Sequence, residues 1–182
     1  MAVKDRFDIK NKSVTTMGRS ADYSKEKCAI AASLDIIGEP WTLLIIRDAF
    51  SGLCRFEQWQ EALGLARNVL AARLKHLVAH GVFEQSLYCE RPRRYEYLLT
   101  DKGRELRPMI LFMQDWGQKH VYGEERAIYE TIHTCGHSLS PVTHCAHCEQ
   151  RVQMGELGVQ ENPDAISLAE LVKRRFIAEE VD

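Results

Sequence analysis

Two helix-length segments parted at Gly64, followed at once by two strand-length runs joined through an arginine-rich turn, restrict this chain more than anything else in it. The first segment, Phe56 to Leu63, sets Phe56, Trp59 and Leu63 on one stripe before Gly64 stops it. The second, from Arg67 to His80, aligns Leu70, Leu74, Leu77 and Val78 and ends at Gly81. At about 100° per residue, Asn68, Ala72, Lys75 and Ala79 fall on the opposite side, with His76 at its edge. That face is small, polar and basic, and it suits a groove better than a core. Val82 to Tyr88 and Tyr95 to Thr100 then read as strands joined by Glu90-Arg91-Pro92-Arg93-Arg94. Helix, turn, helix and hairpin in this order describe a winged helix-turn-helix.

The flanking segments extend that unit. Cys28 to Ile37 is apolar at Ile30, Leu34 and Ile37 and stops at Gly38. Pro40 opens a second helix, Trp41 to Phe50, which is apolar almost all round and is expected at the buried centre. Arg47 inside it is expected to form a structural ion pair. Thr100-Asp101 can cap a helix running to Tyr122, with Leu106, Ile110, Met113 and Gly117 on one face and Phe112 and Trp116 on another. So much apolar surface asks for a cover, either a partner helix in a dimer or the C-terminal extension. The expected fold is mainly α with a small β-wing. A flexible tail over 1–24 precedes a DNA-binding and dimerisation domain over 25–122, and a small Cys/His-containing extension over 123–182 follows.

Charge is distributed unevenly. Eleven acids against five basic residues leave 123–182 at −6, so the remainder carries +4 of a formal total of −2. Leu65 to Arg94 alone holds six basic residues and two acids. Such an excess in a mildly acidic protein fits a phosphate-facing surface, although a solvated charged face would look similar on its own. No run of about 18 apolar residues is present, and the N-terminus lacks the apolar centre of a secretory signal. A cytoplasmic protein follows, whose six cysteines are better read as buried, metal-bound or redox-active than as structural disulfides.

A series of short motifs now becomes informative. Cys28-Ala29-Ile30 is followed by Ile37-Gly38-Glu39-Pro40-Trp41-Thr42-Leu43-Leu44-Ile45-Ile46-Arg47, then by Arg55-Phe56-Glu57 and Ala66-Arg67-Asn68-Val69-Leu70-Ala71-Ala72-Arg73-Leu74. Arg91 to Gly103 and Trp116-Gly117 complete the set. In this order the stretch from Cys28 to Trp116 resembles an HxlR-type regulator. The resemblance implies a dimeric winged-helix DNA-binding protein that controls nearby genes, with its first and last core helices at the dimer interface.

On that plan the fourth helix enters the major groove of double-stranded DNA, offering Arg67, Asn68, Ala72, Lys75 and His76. Arg73 lies on the flank, as a groove residue or as an intramolecular ion pair. Arg55 can meet backbone phosphate. Arg91, Arg93 and Arg94 at the wing tip reach phosphates or the minor groove, with Pro92 stiffening the turn. A homodimer would read an inverted repeat. The competing readings are a metal- or thiol-dependent enzyme, which lacks a positioned carboxylate or a phosphate-binding loop, and a winged-helix protein-interaction module, which would have lost its Arg, Lys and Asn.

Three inputs to regulation suggest themselves. Cys28, at the start of the first helix, is either a redox-sensing thiol, as in some HxlR-type proteins, or a buried small hydrophobe. Cys54 and Cys89 carry no supporting motif. His133, Cys135, His137, Cys145 and Cys148 contain one Cys-x-x-Cys and could build a Cys₃His structural zinc site in a zinc-ribbon-like hairpin. The second Cys-x-x-Cys of such a ribbon is missing, and Glu149 stands where extended relatives commonly have glycine, so a metal-free remnant is the other reading. A small-molecule effector between Phe112, Trp116 and Tyr122 is the third, and these aromatics could equally be plain core. A last helix from Asn162 to Ala178 completes the expectation.

Overall fold

The computed structural model describes Tyr23, residues 27–123, 125, 127, 130–159, 162 and 164. The expected N-terminal tail and final helix lie outside these residues, apart from single positions. The elements are α1 (Ala29–Ile37), α2 (Thr42–Phe50), α3 (Phe56–Leu63), α4 (Arg67–Ala79), β1 (Phe83–Glu90), β2 (Arg93–Leu99), α5 (Asp101–Arg104) and α6 (Arg107–Gly117). A π-type turn over Gln118–Tyr122 follows α6, and a short 3₁₀ turn covers Met154–Glu156. Among the described residues no single helix is long and apolar enough to cross a membrane; α1 and α2 together would be, but they meet at 80°.

The core gathers where the helical stripes meet the wing. Ile45 and Ile46 of α2, Trp59 of α3, and Leu70, Leu74 and Leu77 of α4 are fully buried, and Val82 and Phe83 join them from the start of β1. Trp59 is the hub. Its indole N–H donates to the Ile45 carbonyl at 3.1 Å, and its ring meets Phe83 and Tyr97 edge-on at 5.9 and 6.2 Å. Burying a ring of this size and satisfying its polar handle contributes about 3–5 kcal/mol, the usual cost of truncating it to alanine.

Glycines end the helices as the sequence requires. Gly64 and Gly81 take left-handed φ values of 63° and 66°, which terminate the helices before them without the penalty a side chain would bring. Three elements differ from expectation. The second helix starts at Thr42, because Trp41 takes a left-handed φ of 73° and cannot enter the first turn. Its side chain is 43% exposed, while Thr42 occupies the buried place. The long helix after the wing is broken into α5 and α6. Pro108 lacks an N–H, and its ring would collide with the Arg104 carbonyl in an unbroken helix, so the chain restarts with proline in the first turn of α6. The wing ladder is also longer than foreseen. Cys89 pairs with Arg94 and Glu90 with Arg93, leaving a bulge at Tyr88 and only Arg91-Pro92 in the turn.

Further contacts fix the helices and the wing in place. Arg73 on α4 meets Glu39, ahead of α2, at 3.0 Å with both side chains largely covered. The Arg73 Nε is buried without a partner, so the bond to Glu39 is what compensates its charge. Arg47 and Asp48 pair at 2.7 Å, which bears out the structural role expected of Arg47. Ahead of α3, the Tyr97 N–H donates to the Cys54 carbonyl at 2.7 Å, and an antiparallel bridge joins Arg55 to Glu96. Thr100 caps α5 by accepting from the Gly103 N–H at 3.1 Å, and its hydroxyl donates to the Gly81 carbonyl at 2.6 Å.

Two stability outcomes follow. A methyl group added at Gly103 would lie inside van der Waals contact of the Val82 carbonyl oxygen, with Leu99 at 2.9 Å. Gly103→Ala should cost about 1–3 kcal/mol, read as a lower denaturant midpoint at constant m value. Glu39→Gln removes the carboxylate paired with Arg73, whose side chain is 25% exposed. It should cost about 1–2 kcal/mol, between the values for exposed and buried pairs. A loss within a few tenths of a kcal/mol of zero would show that Arg73 is solvated without Glu39.

Candidate nucleic-acid interface

Helix α4 presents the side that its spacing promised. Asn68, Ala72, Lys75 and Ala79 are exposed, and Ala71 joins them. On the wheel Ala71 lies at the edge of this face, on the side away from His76, and an alanine offers no hydrogen bond to draw notice. Small residues there let a helix approach base edges closely, and an alanine can meet a thymine methyl group.

The flanking candidates are engaged within the chain. His76 is half-buried, with its Nε2 3.0 Å from the Ile36 carbonyl and its ring 4.1 Å from that of His80. It therefore leans toward α1, where the last-turn carbonyls lack helical partners. Arg73, for which a groove contact and an ion pair were equally open, takes the ion pair with Glu39. Arg67 folds back over α3, with a hydrogen bond to Gln60 at 3.0 Å and its guanidinium 4.9 Å from the centre of the Phe56 ring. Arg55 places two N–H groups on Glu96, the closer at 2.7 Å, and lies 4.4 Å from the centre of the Tyr88 ring. The hydrogen bond to Glu96 raises its already high pKa, so it stays charged while its charge is largely spent on the wing.

What remains is a specific set. Lys75 on α4 and Arg91, Arg93 and Arg94 at the wing tip are exposed, and none makes an ion pair among the described residues. The local excess of positive charge thus divides into arginines that hold the fold together and cations facing water on the two elements a winged helix uses against DNA.

The signal candidates divide as well. Cys28 is exposed at the N-cap of α1 in extended conformation, not buried as a small hydrophobe would be. Cys54 and Cys89 are half-buried; burial beside Glu96 pushes the Cys54 thiol up, which makes it a poor nucleophile. In the extension, Cys135 and Cys148 are exposed and Cys145 is half-buried. Among the described residues no three His, Cys, Asp or Glu side chains come together to hold a metal, so His133, Cys135, His137, Cys145 and Cys148 are not brought into one site. They lie instead on two short hairpins, and the His133 Nδ1 accepts from the Cys135 N–H at 3.3 Å. The aromatics suggested as an effector lining are open: Phe112 is 38% and Trp116 61% exposed, and Tyr122 is exposed too.

Comparison with known proteins places this geometry. The model of HxlR-like helix-turn-helix proteins matches residues 36–125. The uncharacterized HTH-type transcriptional regulator Rv3095 of Mycobacterium tuberculosis is 36% identical over 136 residues, which cover 74% of this chain and 86% of that protein. Among solved structures, the candidate transcription factor PA1607 superposes with a TM-score of 0.68 at 35% identity, covering 77% of this chain and 99% of its own. A second candidate transcription factor, PA1374 of Pseudomonas aeruginosa, gives 0.57 at 34% identity over 81% of this chain and 99% of its own. With its helices, its two-stranded wing and the sequence between them all accounted for, the chain belongs to the HxlR-like helix-turn-helix family of transcriptional regulators.

Proposed function

We propose that the protein acts as a homodimer on an inverted-repeat operator, with residues 25–122 as the DNA-binding and dimerisation unit. The observation that carries this reading is the separation of spent from unspent cations: Lys75, Arg91, Arg93 and Arg94 face water without a carboxylate partner, on the recognition helix and the wing. Asn68 offers the amide pair that matches adenine, and Ala72 allows close approach beside it. Arg67, at the N-terminal end of α4, can leave Phe56 and Gln60 for a guanine or a phosphate. Arg91, Arg93 and Arg94 take phosphates or the adjoining minor groove, positioning the protein without reading sequence. Arg55, Arg73 and His76 serve the interface indirectly, by fixing the wing and the pitch of α4.

The dimer reading rests on apolar surface left open. Ile30 is 72% exposed on α1, and Met113, Trp116 and Val121 on α6 and the turn after it are each half exposed or more. The described residues of the extension do not cover them, which favours a partner over the extension as the cover. Two-fold symmetry sets the two α4 helices about 34 Å apart, one turn of DNA. Cys28 begins α1, so its oxidation or alkylation would act on that same contact. Binding DNA assigns the protein to the cytoplasm, and the activity expected of it is regulation, not catalysis.

Binding measured by fluorescence anisotropy on the fragment upstream of its own gene, across a salt series, tests these roles. Arg93→Ala combined with Arg94→Ala should weaken binding to every sequence and make the slope of log affinity against log salt shallower by about 1.8, at about 0.9 per phosphate contact. Asn68→Ala should leave the slope alone and relax preference at one base pair per half-site by about 1–3 kcal/mol. An unchanged slope in the double variant removes the wing from the contact, and a monomer by sedimentation removes the paired half-sites. Absence of binding at low salt, in both reduced and oxidised protein, defeats the whole reading.

A further inference from the structure

The two hairpins of the extension are built on one frame. In the first, the Leu139 N–H donates to the Thr131 carbonyl at 2.8 Å, Ile132 pairs with Ser138, and the His133 N–H donates to the His137 carbonyl at 2.9 Å. In the second, the Val152 N–H donates to the Thr143 carbonyl at 2.9 Å, His144 pairs with Arg151, and the Cys145 N–H donates to the Gln150 carbonyl at 2.9 Å. Matching rung to rung sets His133 on Cys145 and Cys135 on Cys148. The residues after the second pair, Gly136 and Glu149, both have positive φ, 85° and 60°. The second tip is one residue longer, and it alone carries two thiols.

That tip holds the thiols together. The Glu149 N–H donates to the Cys145 carbonyl at 2.7 Å and closes the turn. An α-turn of this kind brings the chain back on itself, so Cys145 and Cys148 share one short closed loop, as a disulfide between them requires. The backbone N–H groups of Cys148 and His147, with the Cys148 thiol, hold the Cys145 thiol below the ordinary cysteine range. Cys145 is half-buried and Cys148 exposed, so a small reagent can reach the pair.

We propose that Cys145 and Cys148 form a redox-active dithiol whose oxidant is a low-molecular-weight disulfide. The Cys145 thiolate attacks one sulfur of the small disulfide, breaks its S–S bond and joins to that sulfur, while the other half leaves as a thiolate and takes up a proton. Cys148 then gives its proton to water and attacks the Cys145 sulfur, forming the bond between Cys145 and Cys148 and expelling the second small thiolate, which is protonated in turn. Two protein thiols are oxidised and one small disulfide is reduced to two thiols, so atoms and electrons balance. Cys135, whose tip supplies a histidine in place of the second thiol, is the built-in control.

The full-length protein, equilibrated in buffers of reduced and oxidised glutathione and quenched by alkylation, provides the test. The expected result is loss of two hydrogens, assigned by fragmentation to Cys145 and Cys148, with Cys135 still alkylated. Cys148→Ser should accumulate the mixed disulfide on Cys145, and Cys145→Ser should remain largely unmodified. A disulfide that includes Cys135, a pair that stays reduced across the series, or a stoichiometric zinc ion that keeps both thiols from the reagent would each overturn the proposal. None of these outcomes depends on DNA binding.

Discussion

Trp59 is the point on which the reading surface depends. It is the residue through which α2, α3 and the wing touch at once, by a hydrogen bond to the Ile45 carbonyl and by edge-on contact with Phe83 and Tyr97. Helix α3 is only eight residues long, too short to be stable alone, so its place is set by what it packs against. Because α4 leans on α3 and the wing leaves directly from the end of α4, an error at Trp59 would propagate to every residue assigned to DNA. The apolar centre therefore sets the orientation of a polar surface, although it touches none of the ligand.

The surface itself shows how little net charge says about a nucleic-acid binder. The chain is formally negative, yet its cations are sorted by use. Arg47, Arg55 and Arg73 lie beside carboxylates and stabilise turns and junctions, whereas Lys75 and the wing-tip arginines keep their fields for solvent. Exposed charge of one sign on two neighbouring elements attracts a polyanion whatever the total. The acidic excess resides mostly in residues 123–182, apart in sequence from the reading surface.

Much of this was legible before any coordinates. Helix ends marked by glycine were readable because Gly64 and Gly81 need a backbone conformation other residues avoid. The side of α4 was readable because four apolar positions fix a helix in rotation. Pro108 carries a break signal inside the expected long helix, and the apolar periodicity runs across it. Trp41 misled in the opposite way: an indole beside a run of apolar residues looks like core, and nothing local announces that its own backbone turns left-handed. An ion pair was one of two readings for Arg73, but its partner Glu39 was not readable, nor was the contact of His76 with Ile36, because both partners are remote in sequence and only the fold brings them near. In the extension, residue types and spacing suggested one metal site. The backbone instead shows two matched tips, of which one has a histidine where the other has a thiol.

The bridge between Arg55 and Glu96, with the Tyr97 N–H on the Cys54 carbonyl, carries one more implication. It stitches the approach to α3 onto the outer edge of β2, so the wing is anchored at both of its margins. A hairpin held only at its root would swing independently of the helix beside it. Stitched in this way, the helix-turn-helix and the wing behave as a single rigid jaw. In the proposed dimer, two such jaws would change their separation by pivoting where α1 and α6 meet their counterparts. On that proposal the mechanics of induction are confined to that hinge, and the calibration of each jaw against its half-site is preserved whatever the signal.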